Sequence, residues 1–322
     1  MENKDFMPKV SVVIPNRNGS GTLAACLKAA TEQDYPAFEI IVVDDASTDG
    51  SVEVIEGFPV RLIKFESQRG AAAARNSGAE AAMGDVIFFT DADCVMPPGT
   101  IQRAAAAFQK HPDKVTGGTY CTEPYDPGFF NRFQAVFVNF SETKRPKPDY
   151  IATHSMVIGK KVFEGSGGFN EDFMPILEDV EFSHRLRARG VKLVMQSGLE
   201  VRHIFGFDLM RSLKNAFRKA RYWGMYSLGN RDLFRDTGTA SFELKLNTAL
   251  WGVYMGLTVA YALFGIPLLI RDAAEFYAIN LLADANLQVA DASREMAFTH
   301  FLQLKLQQTL IPLDDDVTHG PH

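Results

Sequence analysis

Residues 86–94 read VIFFTDADC, four apolar residues that empty into a threonine and two aspartates, Asp91 and Asp93. A run of this kind is a buried strand, and its polar end lies where a strand meets solvent. Two carboxylates one residue apart repel each other unless a positive group sits between them. Hard oxygen ligands of this sort suit Mg²⁺ or Mn²⁺, ions that keep open positions for water and substrate phosphates.

Working outward, further strands are expected at Val10–Ile14, Glu39–Val43 and Val60–Phe65, with the fourth at Val86–Thr90. Helical patterns lie between them near Gly21–Gln33, Gly50–Glu56 and the alanine-rich Gly70–Met83. Such alternation predicts an α/β fold with a mainly parallel sheet flanked by helices. In that architecture ligands bind beyond the carboxyl ends of the strands. The strand ends carry Pro15-Asn16-Arg17-Asn18, Asp44-Asp45 and Asp91-Ala92-Asp93, three polar clusters on one edge. No GxGxxG follows the first strand and no GxxxxGK[ST] occurs, so the usual dinucleotide and triphosphate cradles are missing. A bound nucleotide would need its phosphates neutralised by a metal.

A further cluster is GGFNEDF, residues 167–173, followed by Leu177-Glu178-Asp179 and a helical stretch ending at Arg187, Arg189 and Gly190. Acids in a first turn and arginines in a last turn stabilise a helix through its dipole. A glycine-rich loop feeding paired carboxylates also presents a general base to a hydroxyl. For Asp44-Asp45, capping of the next helix is the plain alternative to contact with a base N–H.

Four stretches together resemble family 2 glycosyltransferases of the GT-A fold: VSVVIPNRNGSG from residue 10, IIVVDDASTDGS from residue 40, QRGAAAARNSGAEAAMGDVIFFTDADC from residue 68, and GGFNEDF with LEDVEFSHRLRARG. The likeness runs from about Lys9 to His203. It implies transfer of a sugar from a nucleoside diphosphate sugar to an acceptor hydroxyl with inversion. By motif position it implies Asp179 as catalytic base, Asp93 as ligand to Mn²⁺ or Mg²⁺, and Asp45 on the nucleotide base. Asp91 would support donor or metal, while Pro15, Arg17 and Arg75 would belong to the donor side. Gly168, Phe169, Glu178 and His154 are candidates for the acceptor side, as is His203. The pattern D-x-D-x-V at Asp91–Val95 also fits haloacid-dehalogenase-like phosphatases, but those place it after the first strand, not the fourth. A processive polysaccharide synthase would carry Q-x-x-R-W, of which Arg218–Trp223 is an imperfect echo. A non-catalytic membrane-anchored scaffold is opposed by intact carboxylate clusters.

The chain has 322 residues and a formal net charge of −6, which gives no support for nucleic-acid binding. Its three cysteines form no CxxC or paired framework and suit a reducing compartment. No apolar signal segment is seen at the N-terminus. The 24 residues from Asn247 to Ile270 carry no charge. As a helix they would be about 36 Å long, enough to cross a membrane. Between Arg202 and Lys245 nine basic residues face four acids, whereas beyond residue 271 two basic residues face eight acids. The bias of basic residues predicts residues 1–245 on the cytoplasmic face. The expected organisation is therefore a catalytic domain over 1–205, basic amphipathic membrane-proximal helices over 206–246, a transmembrane helix over 247–270 and an amphipathic, acidic tail over 271–322. Expected partners are a nucleoside diphosphate sugar donor, a glycan or lipid-linked acceptor of the cell envelope or an exopolysaccharide, and membrane lipid.

Overall fold

The computed structural model describes residues 7–144, 147–173 and 176–229. Eight strands form one sheet: β1 Val10–Asn16, β2 Phe38–Asp44, β3 Arg61–Lys64, β4 Val86–Phe89, β5 Cys94–Val95, β6 Val115–Tyr120, β7 Met156–Gly159 and β8 Leu193–His203. Among the described residues eight α-helices accompany them: α1 Ser20–Thr31, α2 Ser51–Glu56, α3 Ala71–Ala81, α4 Thr100–Lys110, α5 Phe129–Thr143, α6 Lys160–Ser166, α7 Glu178–Ala188 and α8 Leu209–Gly229.

The sheet order is β3-β2-β1-β4-β7-β6-β8-β5. The first four strands in that order are parallel, as the alternation of strands and helices requires. Beyond β4 the expectation of a mainly parallel sheet is corrected. β7 runs antiparallel to both β4 and β6, and β5 runs antiparallel to β8, so the sheet is mixed. The reversal follows from a short turn, Thr153–Ser155, which enters β7 from the carboxyl end of β4. There the Thr90 hydroxyl donates to the His154 carbonyl at 2.9 Å. β6 reads VTGGTY, in which two adjacent glycines interrupt the strand pattern that Val115, Thr116, Thr119 and Tyr120 would otherwise announce. Gly118 is required because a Cβ there would collide with the Leu199 carbonyl of β8.

Both faces of the sheet are covered, and the period-2 alternation of strand side chains sorts the core in two. Val10, Val12, Ile14, Val42 and Phe88 pack with Leu23 and Leu27 of α1 and Ile101 of α4. Val13, Ile41, Val43, Ile87 and Phe89 pack with the alanines of α3 and with Phe163, Phe169 and Phe182. Each of these large apolar side chains contributes about 1.5–3 kcal/mol on leaving water.

Trp223 and Tyr226 of α8 pack against Tyr150, Ala152, Leu177 and Val180. Tyr226 also meets His184 Nδ1 of α7 at 2.7 Å. Among the described residues no helix is long and apolar enough to cross a membrane. The stretch Asn247–Ile270 and the tail after it lie outside the described residues.

Candidate active site

The three polar strand ends do lie on one edge, where each carboxylate has a distinct task. Asp44 accepts from Asn16 Nδ2 at 2.7 Å and from the Ser47 hydroxyl, which ties the ends of β1 and β2 together. Asp45 accepts the backbone N–H of Arg69 at 2.6 Å on one oxygen and that of Gly70 at 2.9 Å on the other. It thereby shapes the loop that opens α3, while Arg17 Nη1 donates to the Asp45 carbonyl at 2.8 Å. Pro15 lies in β1 opposite Val43. A nucleotide base at Asp45 would use the lone pairs that remain.

Arg75 stands on α3 and is 4% exposed. One guanidinium nitrogen meets Asp91 at 2.8 Å and the other meets Glu178 at 2.6 Å. Burial alone would push this guanidinium down, but the two carboxylates outweigh it and hold it charged. The fork joins three elements that are far apart in sequence: α3, the end of β4 and the start of α7. Asp91, expected to support donor or metal, and Glu178, expected on the acceptor side, are both committed to this ion pair.

Next to Glu178 stands Asp179. Leu177, just before them, adopts a left-handed backbone, φ 74°, which costs a branched residue about 1 kcal/mol or more. Its side chain is buried in the Trp223 and Tyr226 cluster, which holds that conformation and turns the two acids toward a cleft. Asp179 Oδ1 accepts the Val180 N–H at 2.8 Å. Burial, then repulsion by Glu178, pushes the Asp179 carboxyl up to about 7, against the opposing pull of Arg75, the Val180 N–H and His154. A carboxyl so placed can take a proton near neutral pH.

The cleft has a volume of about 260 Å³. Arg75, Asp91, Glu178 and Asp179 line one side, with Tyr120, Glu142, His154, Lys219 and Trp223 around the rest. His154 is buried, stacks on Tyr120 with ring centroids 4.0 Å apart, and lies 3.4 Å from the Glu142 carboxylate. Burial pushes this imidazole down, but Glu142 outweighs burial and leaves it raised. α8 contributes Lys219 and Trp223, and the Lys219 ammonium is pushed down by burial although Glu142 and Asp179 pull the other way. Gly168 and Phe169 do not line the cleft. Phe169 is a core residue, 4.5 Å from the Phe182 ring, and the Gly168 carbonyl accepts from Arg185. Their loop positions α7 from beneath.

Asp93 is directed elsewhere, toward His203 at the end of β8. Pairing of Cys94 with His203 across β5 and β8 sets Asp93 Oδ2 3.3 Å from His203 Nε2. Burial would raise the Asp93 carboxyl, but His203 outweighs it and holds the group below its ordinary range. The ligand atoms of Asp93, Cys94 and His203 all lie within 4.8 Å of one another. Burial and the neighbouring aspartates push the Cys94 thiol well up, so it is neutral and a poor ligand. A carboxylate and an imidazole therefore fit a divalent ion with positions left for water and phosphate. Tyr120 links the two centres: its ring packs against both His154 and His203. His203 was expected on the acceptor side. No spacing motif marks it as a ligand, since it meets Asp93 only through strand pairing.

Residues 11–165 match the model of the family described as "Glycosyl transferase family 2". An uncharacterized glycosyltransferase of Haemophilus influenzae is 36% identical over 131 residues, covering 37% of this chain and 45% of its own. Glycosyltransferase AglE of Haloferax volcanii is 26% identical over 239 residues, 71% of this chain and 78% of its own. The amylovoran biosynthesis glycosyltransferase AmsB of Erwinia amylovora is 39% identical over 90 residues, 26% of this chain and 30% of its own. The chain thus spans less than half the length of the first and third of these relatives. Among solved structures, the mannosyltransferase PcManGT from Pyrobaculum calidifontis in complex with GDP-Man and Mn²⁺ superposes with a TM-score of 0.54 at 18% identity, covering 91% of this chain and 90% of that one. That likeness shows the GT-A fold. Asp179, His203 and α8 all lie beyond the matched family segment.

Proposed function

We propose, from the family 2 match over residues 11–165 and the cleft bounded by Asp91 and Asp179, that this protein is an inverting glycosyltransferase. The donor is a nucleoside diphosphate sugar and the acceptor a hydroxyl of a cell-envelope or exopolysaccharide glycan, free or lipid-linked. The observation that carries this reading is Asp179, a partly buried carboxyl that takes a proton near neutral pH in a cleft also bounded by Asp91. Asp179 removes the proton of the acceptor hydroxyl as its oxygen attacks the anomeric carbon. The bond from that carbon to the diphosphate breaks on the opposite face, which inverts its configuration. In-line displacement needs no enzyme nucleophile, and the raised, buried thiols of Cys26 and Cys94 offer none.

Asp93 and His203 would hold the divalent ion, which when bound offsets charge developing on the leaving diphosphate. An imidazole ligand favours Mn²⁺ over Mg²⁺. Asp45, Arg17 and Pro15 shape the nucleotide side, and the Arg75 fork keeps Asp91 and Glu178 in place around the donor. Glu142, His154, Lys219 and Trp223 form the acceptor wall. From the sequence alone we assign Asn247–Ile270 to a membrane anchor with residues 1–245 on the cytoplasmic side. A processive synthase is the second reading, favoured by Lys219 and Trp223 on the cleft wall within the echo of Q-x-x-R-W. Product length separates the two, a polymer or a single addition.

The test is release of nucleoside diphosphate from a panel of nucleotide sugars by the purified full chain, with and without Mn²⁺. Asp93→Ala should abolish Mn²⁺-dependent release, and His203→Ala should raise the Mn²⁺ concentration needed by at least tenfold. Mn²⁺ binding followed by electron paramagnetic resonance should weaken in both. Release unchanged by chelator, or Mn²⁺ affinity unchanged in both variants, would refute the metal site.

A further inference from the structure

α8 has three faces, and the cleft uses one of them. At 3.6 residues per turn, Lys219, Trp223 and Tyr226 share the side that docks on the α/β unit. On the far side Leu209, Leu213, Phe217 and Leu228 fall within about 100° of arc. All four are exposed, Phe217 to 76% and Leu228 to 65%. Lys214, Arg218 and Arg221 occupy the adjacent sector, exposed as well. The neighbouring helix α5 exposes Phe133 and Phe140, and its start is joined to the start of α8 by a 2.7 Å hydrogen bond from the Phe207 N–H to Asn131 Oδ1.

We propose that this outer face of α8 lies in the surface of an anionic lipid bilayer, with its apolar stripe in the acyl boundary and its basic residues on the headgroups. An exposed apolar stripe bordered by lysine and arginine is the pattern of a helix that lies in a membrane interface. The charge distribution selects the occupant. The chain is net negative at −6, yet nine basic residues against four acids gather between Arg202 and Lys245. A second copy would bring two such basic borders together, and their repulsion opposes self-association; anionic lipid is complementary to them. The chain also continues from α8, after 17 residues, into the uncharged stretch Asn247–Ile270. Because Lys219 and Trp223 sit on the same helix, docking holds the cleft close to the lipid surface. The proposal does not depend on the reaction the cleft performs.

The test uses the full chain with Cys121→Ser, reconstituted in phosphatidylcholine vesicles with or without one quarter phosphatidylglycerol. An environment-sensitive fluorophore is placed on Phe217→Cys, or on Gln102→Cys of α4 as a reference, and quenched by doxyl-labelled lipid. Strong quenching is expected at position 217 in anionic vesicles, much weaker quenching in neutral ones, and none at position 102. Each basic residue near an anionic surface strengthens binding roughly fivefold, so Lys214→Gln, Arg218→Gln and Arg221→Gln together should weaken docking about 10²-fold and abolish quenching. The melting temperature of that variant should match its parent, since all three side chains are exposed. No quenching at 217 in anionic vesicles, or equal quenching in neutral ones, would overturn the proposal. A blue shift at 217 that grows with protein concentration without vesicles would also overturn it, in favour of a second copy.

Discussion

Asp179→Asn separates a catalytic base from a helix cap, because the two roles predict opposite changes in stability and turnover. The folded protein holds the Asp179 proton up to about pH 7, whereas the unfolded chain releases it near the ordinary value of 3.8. Between those limits the folded state binds more protons, so its stability falls as pH rises. The full difference is a factor of about 10³ in proton affinity, or roughly 4 kcal/mol at ~1.4 kcal/mol per tenfold. Water at the cleft mouth screens part of it, which leaves about 2 kcal/mol. Asparagine removes the charge and keeps an oxygen for the Val180 N–H. The variant should therefore melt about 4–8 °C above its parent at pH 8, with the gain shrinking to roughly a third near pH 5. Its turnover should fall ~10²-fold or more while donor affinity barely changes. In the parent, turnover should rise with pH up to about 7 and then level off. Thermal melts at both pH values, turnover and donor titration make up the assay. An equal melting shift at pH 5 and pH 8, or turnover within a few-fold of the parent, would rule out Asp179 as the base.

Arg75→Ala leaves Asp91 and Glu178 without their shared cation and should cost about 3–5 kcal/mol in denaturant unfolding. Arg75→Lys retains the charge without the fork and should recover only part of that; full recovery would show that the fork is not what holds the three elements. Gly168→Ala should lower stability by about 1–3 kcal/mol, because Gly168 has φ +71° and a Cβ there would lie 2.6 Å from Asn76 Oδ1. That oxygen accepts the Phe169 N–H at 2.8 Å, so an unchanged melting temperature would show that the loop gives way without loss.

The parallel half of the sheet and the polar clusters at its carboxyl edge were legible in the amino-acid sequence. Local pattern suffices there: continuous apolar runs such as Val86–Phe89 bury on both faces, and each ends where the backbone turns out of the core. The same pattern marked Asp93 and Asp179 as candidates, because an acid placed directly after a buried strand or before a helix is a local feature. The partners of these side chains emerge from long-range folding. Arg75 meets Glu178 across 103 residues, and Asp93 meets His203 across a strand pair that no spacing announces. The antiparallel β7 and the glycine-bearing β6 were equally hidden, since a register set by close backbone contact leaves no hydrophobic period to read. Phe169 shows the converse: it belongs to a loop that looks functional, yet its ring is core. In α8 the sequence showed an amphipathic basic helix, but which face docks on the protein and which stays bare was fixed by Trp223 and Tyr226 meeting Leu177 and Val180, a contact between distant segments.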